Sequence, residues 1–163
     1  MWWNEHSIKK KLRVKKNLNL ILNEENQVIS SLSKSYKDSF SKKNTKHFNK
    51  KFDYRIIGMG GSTLGAQAIH DFLKKKIKKK FIFVDNLNAL ENKKVKRNFN
   101  NLIISKSGNT TETIVNANIL IKKKDKNLFI TEKKKSYLSL LAQKLKSEVV
   151  DHNNYVGGRY SVL

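Results

Sequence analysis

A chain of 163 residues holds one ordinary domain but not two. It has no Cys, which excludes disulfides, zinc fingers and thiol catalysis, and no apolar run approaches the roughly 18 residues of a membrane span. Thirty-five Lys and Arg against thirteen Asp and Glu leave +22, a charge that suits a polyanion partner without identifying one.

About the first fifteen residues are basic and read as loosely held. Their order lacks the basic-then-apolar pattern of a secretory signal, and the missing Cys fits a reducing compartment, so a cytoplasmic protein is expected. Leu18–Phe40 is read as an amphipathic helix, with Leu18, Ile21, Leu22, Glu25, Ile29 and Leu32 near helical spacing. Ser41–Lys51 is polar and reads as a connector. From Phe52 the pattern changes. Phe52–Ile57 (FDYRII) is rich in aromatic and β-branched residues and stops at Gly58, as a strand does. Thr63–Lys76 carries Leu64, Ala68, Phe72 and Leu73 at helical spacing. Phe81–Asp85 (FIFVD) is a continuous apolar run of the kind that parallel strands bury on both faces. Leu87–Lys96 is a weaker helix. Leu102–Ser105 is the third strand. Thr111–Lys123 is the next helix, with Ile114, Val115, Asn118 and Ile121 on one face. Leu128–Thr131, Ser136–Lys146 and Val149–Asp151 complete a strand, a helix and a fifth strand.

Strands separated by helices need crossover connections. The expected fold is therefore α/β, a doubly wound parallel sheet of about five strands preceded by N-terminal helices. The expected division is residues 1–51 as helical segment and connector, and residues 52–163 as the sheet domain.

The charge carries less information than its size suggests. Thirty-one of the thirty-five basic residues are Lys, accompanied by abundant Asn and Ile and no Pro, which is the signature of AT-rich coding. Nucleic-acid readers lean on Arg forks and aromatic platforms. The Lys74–Lys76, Lys78–Lys80, Lys122–Lys124 and Lys133–Lys135 runs fall between apolar segments, where solvated element ends belong. Neither nucleic acid nor a membrane is expected as a partner.

Two loops carry the chemistry. Gly58-Met59-Gly60-Gly61-Ser62 follows a strand and opens a helix, so backbone N–H groups and the helix N-terminus can face an anion. The spacing is not GxGxxG, and no Gly-Lys-Ser/Thr follows. Asp85 reads as a strand-end cap rather than a ribose ligand. Ser105-Lys106-Ser107-Gly108-Asn109-Thr110-Thr111-Glu112-Thr113 places five hydroxyls between a strand end and a helix start. A cap accounts for one of them; a phosphate monoester uses several. In an open parallel sheet both loops open at the crevice beyond the strand carboxyl ends. The four His show no metal-ligand spacing, so neither metal nor cofactor is expected.

GMGGSTLG at Gly58–Gly65, SKSGNTTET at Ser105–Thr113 and VGGRYS at Val156–Ser161 together resemble the glucose-6-phosphate isomerase family, in the order of its N-terminal sugar isomerase (SIS) domain. The resemblance covers Phe52 to Leu163. It implies aldose–ketose isomerisation of glucose 6-phosphate and fructose 6-phosphate through a cis-enediolate, without cofactor, by a homodimer of the full-length protein. It further implies that Ser62, Ser105, Ser107 and Thr110 hold the sugar phosphate with the backbone at Lys106, and that Gly61 approaches the substrate. Gly158 and Arg159 would lie near the reacting carbons, with Arg159 offsetting enediolate charge. Gly108-Asn109-Thr110 departs from the Phe-Thr-Thr of many members. It is closer to other SIS proteins, dual phosphoglucose/phosphomannose isomerases among them. The family's Glu base, ring-opening His and C-terminal Lys have no counterparts here. His152 is the nearest stand-in and reads as a strand-end residue; Glu112 reads as a helix first-turn acid. The expectation is a fragment that binds sugar phosphate. The alternative is a single-domain SIS regulator.

Overall fold

The computed structural model describes residues 2–31, 33–37, 40–48, 50–87 and 97–158, the first eight of these by backbone alone. It divides into two units, Met1–Asp38 and Ser39–Leu163. The first unit holds helix α1 (Trp2–Leu22) and a short helix α2 (Gln27–Ser30). The helix expected over Leu18–Phe40 is thus broken, and helix instead occupies the segment expected to be loose. Asn26 accounts for the break. Its side chain accepts from the N–H groups of Val28 and Ile29, which starts a new helix in place of continuing the old one.

In the second unit, five strands among the described residues form one parallel sheet. They are β1 (Asp53–Ile57), β2 (Phe81–Val84), β3 (Phe99–Ile104), β4 (Lys126–Thr131) and β5 (Glu148–Asp151), in the order β2-β1-β3-β4-β5. Helices α3 (Gly61–Leu73), α4 (Thr111–Leu120) and α5 (Tyr137–Lys144) connect them. The helix expected over Leu87–Lys96 lies almost wholly outside the described residues.

Alternation along the strands separates the two faces. Ile57, Ile103 and Phe129 meet Ala117 of α4 and Leu138 and Ala142 of α5 in a closed apolar core, joined by Val84. Phe81 and Phe83 point the other way and lie 5.4 and 5.5 Å from the ring of His70 on α3. The polar stretch before β1 is more than a connector. Asn44, in a 3-10 turn over Lys42–Thr45, donates to the Glu148 carboxylate of β5, and Phe48 packs edge-on against Tyr54 at 5.8 Å.

Two helix faces differ from expectation. On α3, Leu64 and Phe72 are 60% and 88% exposed, whereas Ser62 and Thr63 are buried. The glycine turn entering α3 directs its small and polar side toward the sheet, so the Leu64–Ala68–Phe72 stripe faces outward. On α4 the buried residues are Thr113, Asn116 and Ala117. Ile114 and Ile121 of the expected face do pack against the core, but Asn118 faces out to hydrogen-bond the Tyr137 hydroxyl.

Strand β3 begins three residues earlier than its apolar run, at Phe99. Asn100 and Asn101 read as loop residues, yet both are fully buried. Asn101 accepts from Arg55 Nε (2.9 Å) and donates to Asp125 (3.0 Å) and Asn127 (2.7 Å). Arg55 also donates to the Leu120 carbonyl (2.8 Å) and Asp125 (3.1 Å), and its guanidinium lies 4.6 Å from the centre of the Phe99 ring. Asp125 in turn accepts from the backbone N–H groups of Phe99 and Lys122. Burial pushes Arg55 below its ordinary pKa, and the Asp125 charge works against that shift.

Removing one partner of a buried ion pair leaves an uncompensated charge. Asp125→Ala is expected to cost about 3–5 kcal/mol, against less than about 1 kcal/mol for an exposed pair such as Lys133–Asp151. Urea unfolding followed by far-ultraviolet circular dichroism measures the difference. Tryptophan fluorescence would report the wrong unit, because Trp2 and Trp3 both lie in α1.

Candidate functional site

Strand β1 pairs with β3 in parallel, Ile57 opposite Ile103, so the loops following them leave the sheet side by side. The first loop turns at Gly60, whose φ of +54° suits glycine, and enters α3. Its first N–H groups are partly used locally: Ser62 and Thr63 donate to the carbonyls of Met59 and Gly60.

The second loop is built differently. Thr110 occupies the N-cap position of α4, but its hydroxyl makes no cap bond. It pairs with the Ser105 hydroxyl at 2.9 Å. The N–H groups at the start of α4 are therefore not capped by that side chain, and an α-helix supplies them with no internal acceptor. The loop is held from outside. Leu138 N–H donates to the Gly108 carbonyl (3.0 Å) and Tyr137 N–H to the Asn109 side chain (2.9 Å). The start of α5 thus grips the loop that carries the hydroxyls. Ser136 caps α5 in reciprocal bonds with Ser139.

Gly61, Ser62, Ser105, Lys106, Ser107, Thr110 and Gly158 line one open cleft of about 520 Å³. Seven of the eight residues singled out from the sequence therefore meet there; Arg159 lies outside the described residues. Met59, Glu132 and Lys134 line it too and were missed. Glu132 follows β4, in a stretch that reads from sequence as one more lysine-rich turn. Its carboxylate pairs with Lys134 and lies 3.6 Å from Lys106 Nζ. A hydrogen bond from Lys134, the charges of both lysines and a bond from Lys106 hold it below the usual carboxylate range, although partial burial opposes this.

The remaining candidates sit elsewhere. His152 is buried beyond β5, with its N–H on the Thr131 carbonyl and its ring against the Asn153 carbonyl, and it does not line the cleft. Glu112 is in the first turn of α4, and Asp85 accepts from Gln67. Lysines of all four runs are exposed at element ends. Among the described residues no three His, Asp or Glu gather into a metal-sized cluster, and no helix is long and apolar enough to cross a membrane.

The structure is an open parallel α/β sheet with a glycine-turned loop and a hydroxyl-lined loop side by side at one edge. Its backbone matches a hypothetical protein, TT0462, from Thermus thermophilus (TM-score 0.58, 23% identity, 67% of this chain and 29% of that one). It also matches the Vibrio vulnificus NanR protein (TM-score 0.50, 23% identity, 67% and 42%). The sequence goes further. A family model described as phosphoglucose isomerase matches residues 20–163, so the chain belongs to the phosphoglucose isomerase family. Glucose-6-phosphate isomerases of Acholeplasma laidlawii (37% identity, 66% of this chain) and Borrelia garinii (32%, 81%) are among its relatives. The Methanocaldococcus jannaschii enzyme is another (37%, 66%). The chain spans about three tenths of the length of these relatives: 30%, 29% and 29%.

Gly108 gives the sharpest local test. Its φ is +69°, and an added Cβ would lie 2.2 Å from Ser136 Oγ and 2.8 Å from Thr131 Oγ1. Gly108→Ala should cost about 1–2 kcal/mol for the left-handed backbone and about 1–3 kcal/mol more for overpacking. Gly158→Ala, where the added carbon meets nothing within 4 Å, should leave the thermal midpoint nearly unchanged.

Proposed function

We propose that this chain supplies the phosphate-anchoring part of an isomerase that interconverts glucose 6-phosphate and fructose 6-phosphate through a cis-enediolate. The supporting observation is the single cleft in which loops after three different strands gather Ser62, Ser105, Ser107, Thr110 and Gly158. Relatives bearing that enzyme's name are 37% and 32% identical over the matched part, and the fold neighbour NanR was solved with ManNAc-6P. In this reading the four hydroxyls and the Lys106 backbone N–H hold the phosphate oxygens at the open end of α4. Gly61 and Gly158 let the sugar approach the backbone. Arg159 is assigned by the family resemblance to the developing enediolate, whose negative charge a permanently charged guanidinium would offset.

The reaction moves a proton between C1 and C2, and a base for that step works best with a pKa near the working pH. Glu132 lines the cleft, but its lysine partners pull its pKa the other way. The base, the ring-opening His and the Lys are therefore assigned outside this chain, as in the family. The ring-opening His would come from the second subunit of a homodimer of the full-length protein. Residues 1–163 alone should bind substrate and turn it over poorly, each absent acid–base group costing about 10²–10⁴-fold.

Calorimetry with fructose 6-phosphate, on the unaltered chain and on Ser107→Ala, tests the binding half. Loss of one hydroxyl bond to a charged group should cost about 1.5–3 kcal/mol. The difference should persist in added salt, which screens nonspecific attraction to the exposed lysines. Equal affinities would count against the site. A coupled isomerase assay tests the second half, where robust turnover by this chain alone would overturn the assignment of the base.

A further inference from the structure

Lys106 is drawn out of the role that its position suggests. Its side chain is 25% exposed and borders the cleft, yet its ammonium donates to the Asn154 carbonyl at 2.6 Å. Asn154 belongs to the segment after β5 that includes Gly158. On the other side of the ammonium stands the Glu132 carboxylate at 3.6 Å. The backbone of the same lysine is fixed as well. Its carbonyl accepts from Glu132 N–H (3.1 Å) and from the Thr131 hydroxyl (3.3 Å). One residue therefore ties together the loops after β3, β4 and β5. A bond from an ammonium to a carbonyl is charge-assisted and short, stronger than a neutral bond.

We propose that Lys106 is a positioning residue. Its ammonium, oriented by Glu132, clasps residues 153–158 to the phosphate loop and so keeps Gly158 at the cleft. The lysine then spends its charge on the protein, and anion binding falls to the hydroxyls and backbone N–H groups. The clasp deepens the sugar-phosphate reading of the same cleft and rests on it for its use, but not for its existence.

Amide hydrogen exchange of the full 163-residue chain decides it. Val156 N–H is bonded to the Asn153 carbonyl at 3.2 Å, so its protection reports the segment. Lys106→Met should accelerate exchange at Val156 by about tenfold or more, the factor expected when a hydrogen bond to a charged group is lost. Sheet amides such as Ile103 and Phe129 should keep their rates, which separates a released clasp from general unfolding. Lys106→Arg should restore protection, and Glu132→Gln should produce an intermediate loss. Unchanged Val156 exchange in Lys106→Met, or failure of the arginine to rescue it, would overturn the proposal. Inorganic phosphate added to the unaltered chain separates the two readings. If the phosphate site and the clasp are both right, Ser107 and Gly108 amide signals shift while Val156 protection persists. Loss of Val156 protection on adding phosphate would mean that Lys106 leaves Asn154 for the anion, which also overturns it. No shift in the loop signals would count against the phosphate site, while the variants would still decide the clasp.

Discussion

The site depends on the parallel pairing of β1 with β3. Ile57, the last residue of β1, lies opposite Ile103, the residue before the end of β3, so both strands end together at loops that enter helices. Antiparallel pairing would send the two loops to opposite ends of the sheet. Parallel pairing needs crossover helices, and those helices cover the apolar faces that such strands carry. One requirement therefore accounts for the crossover helices, the burial of Ile57, Ile103 and Phe129, and the nearness of the glycine turn to the hydroxyl loop. The Arg55–Asn101–Asp125 network supports the same pairing from within. It ties β1 to β3 and both to the start of β4 by hydrogen bonds that leave the buried charges compensated.

The hydroxyl loop gains its shape from an element that does not line the cleft. Helix α5 offers its first N–H groups to Gly108 and Asn109, and the tight approach is possible because residue 108 has no Cβ. Thr110 pairs with Ser105 and does not cap its own helix. Donors that are already in place need little rearrangement to receive a phosphate, which is what preorganisation means for an electrostatic site. Asn109 docks on α5 through its side-chain oxygen, which accepts from the Tyr137 N–H.

Much of the architecture was legible because apolar runs and glycine turns are local signals. The five strands, the two loops and seven cleft residues all follow from short motifs. What escaped was set by long-range contact. Asn100 and Asn101 look like loop residues until Arg55 and Asp125, 46 and 24 positions from Asn101, satisfy the second of them. The α3 stripe of Leu64, Ala68 and Phe72 looks like core, but the angle at which the glycine turn delivers the helix makes it surface. Glu132 could not be distinguished from its lysine neighbours without knowing that β4 ends beside β3. The break at Asn26 was readable in principle, since a side-chain oxygen near two following N–H groups is a local cap.

A sugar phosphate is proposed to seat its phosphate on the loops after β1 and β3, with the lysine runs left as solvated surface. Mapping amide chemical-shift changes on titration with glucose 6-phosphate at moderate salt tests this most directly. Saturable shifts centred on Ser62, Lys106, Ser107, Gly108 and Thr111 are expected, with the runs at residues 74–80 and 122–124 unmoved. Shifts spread along those lysine runs, with the two loops silent, would contradict it.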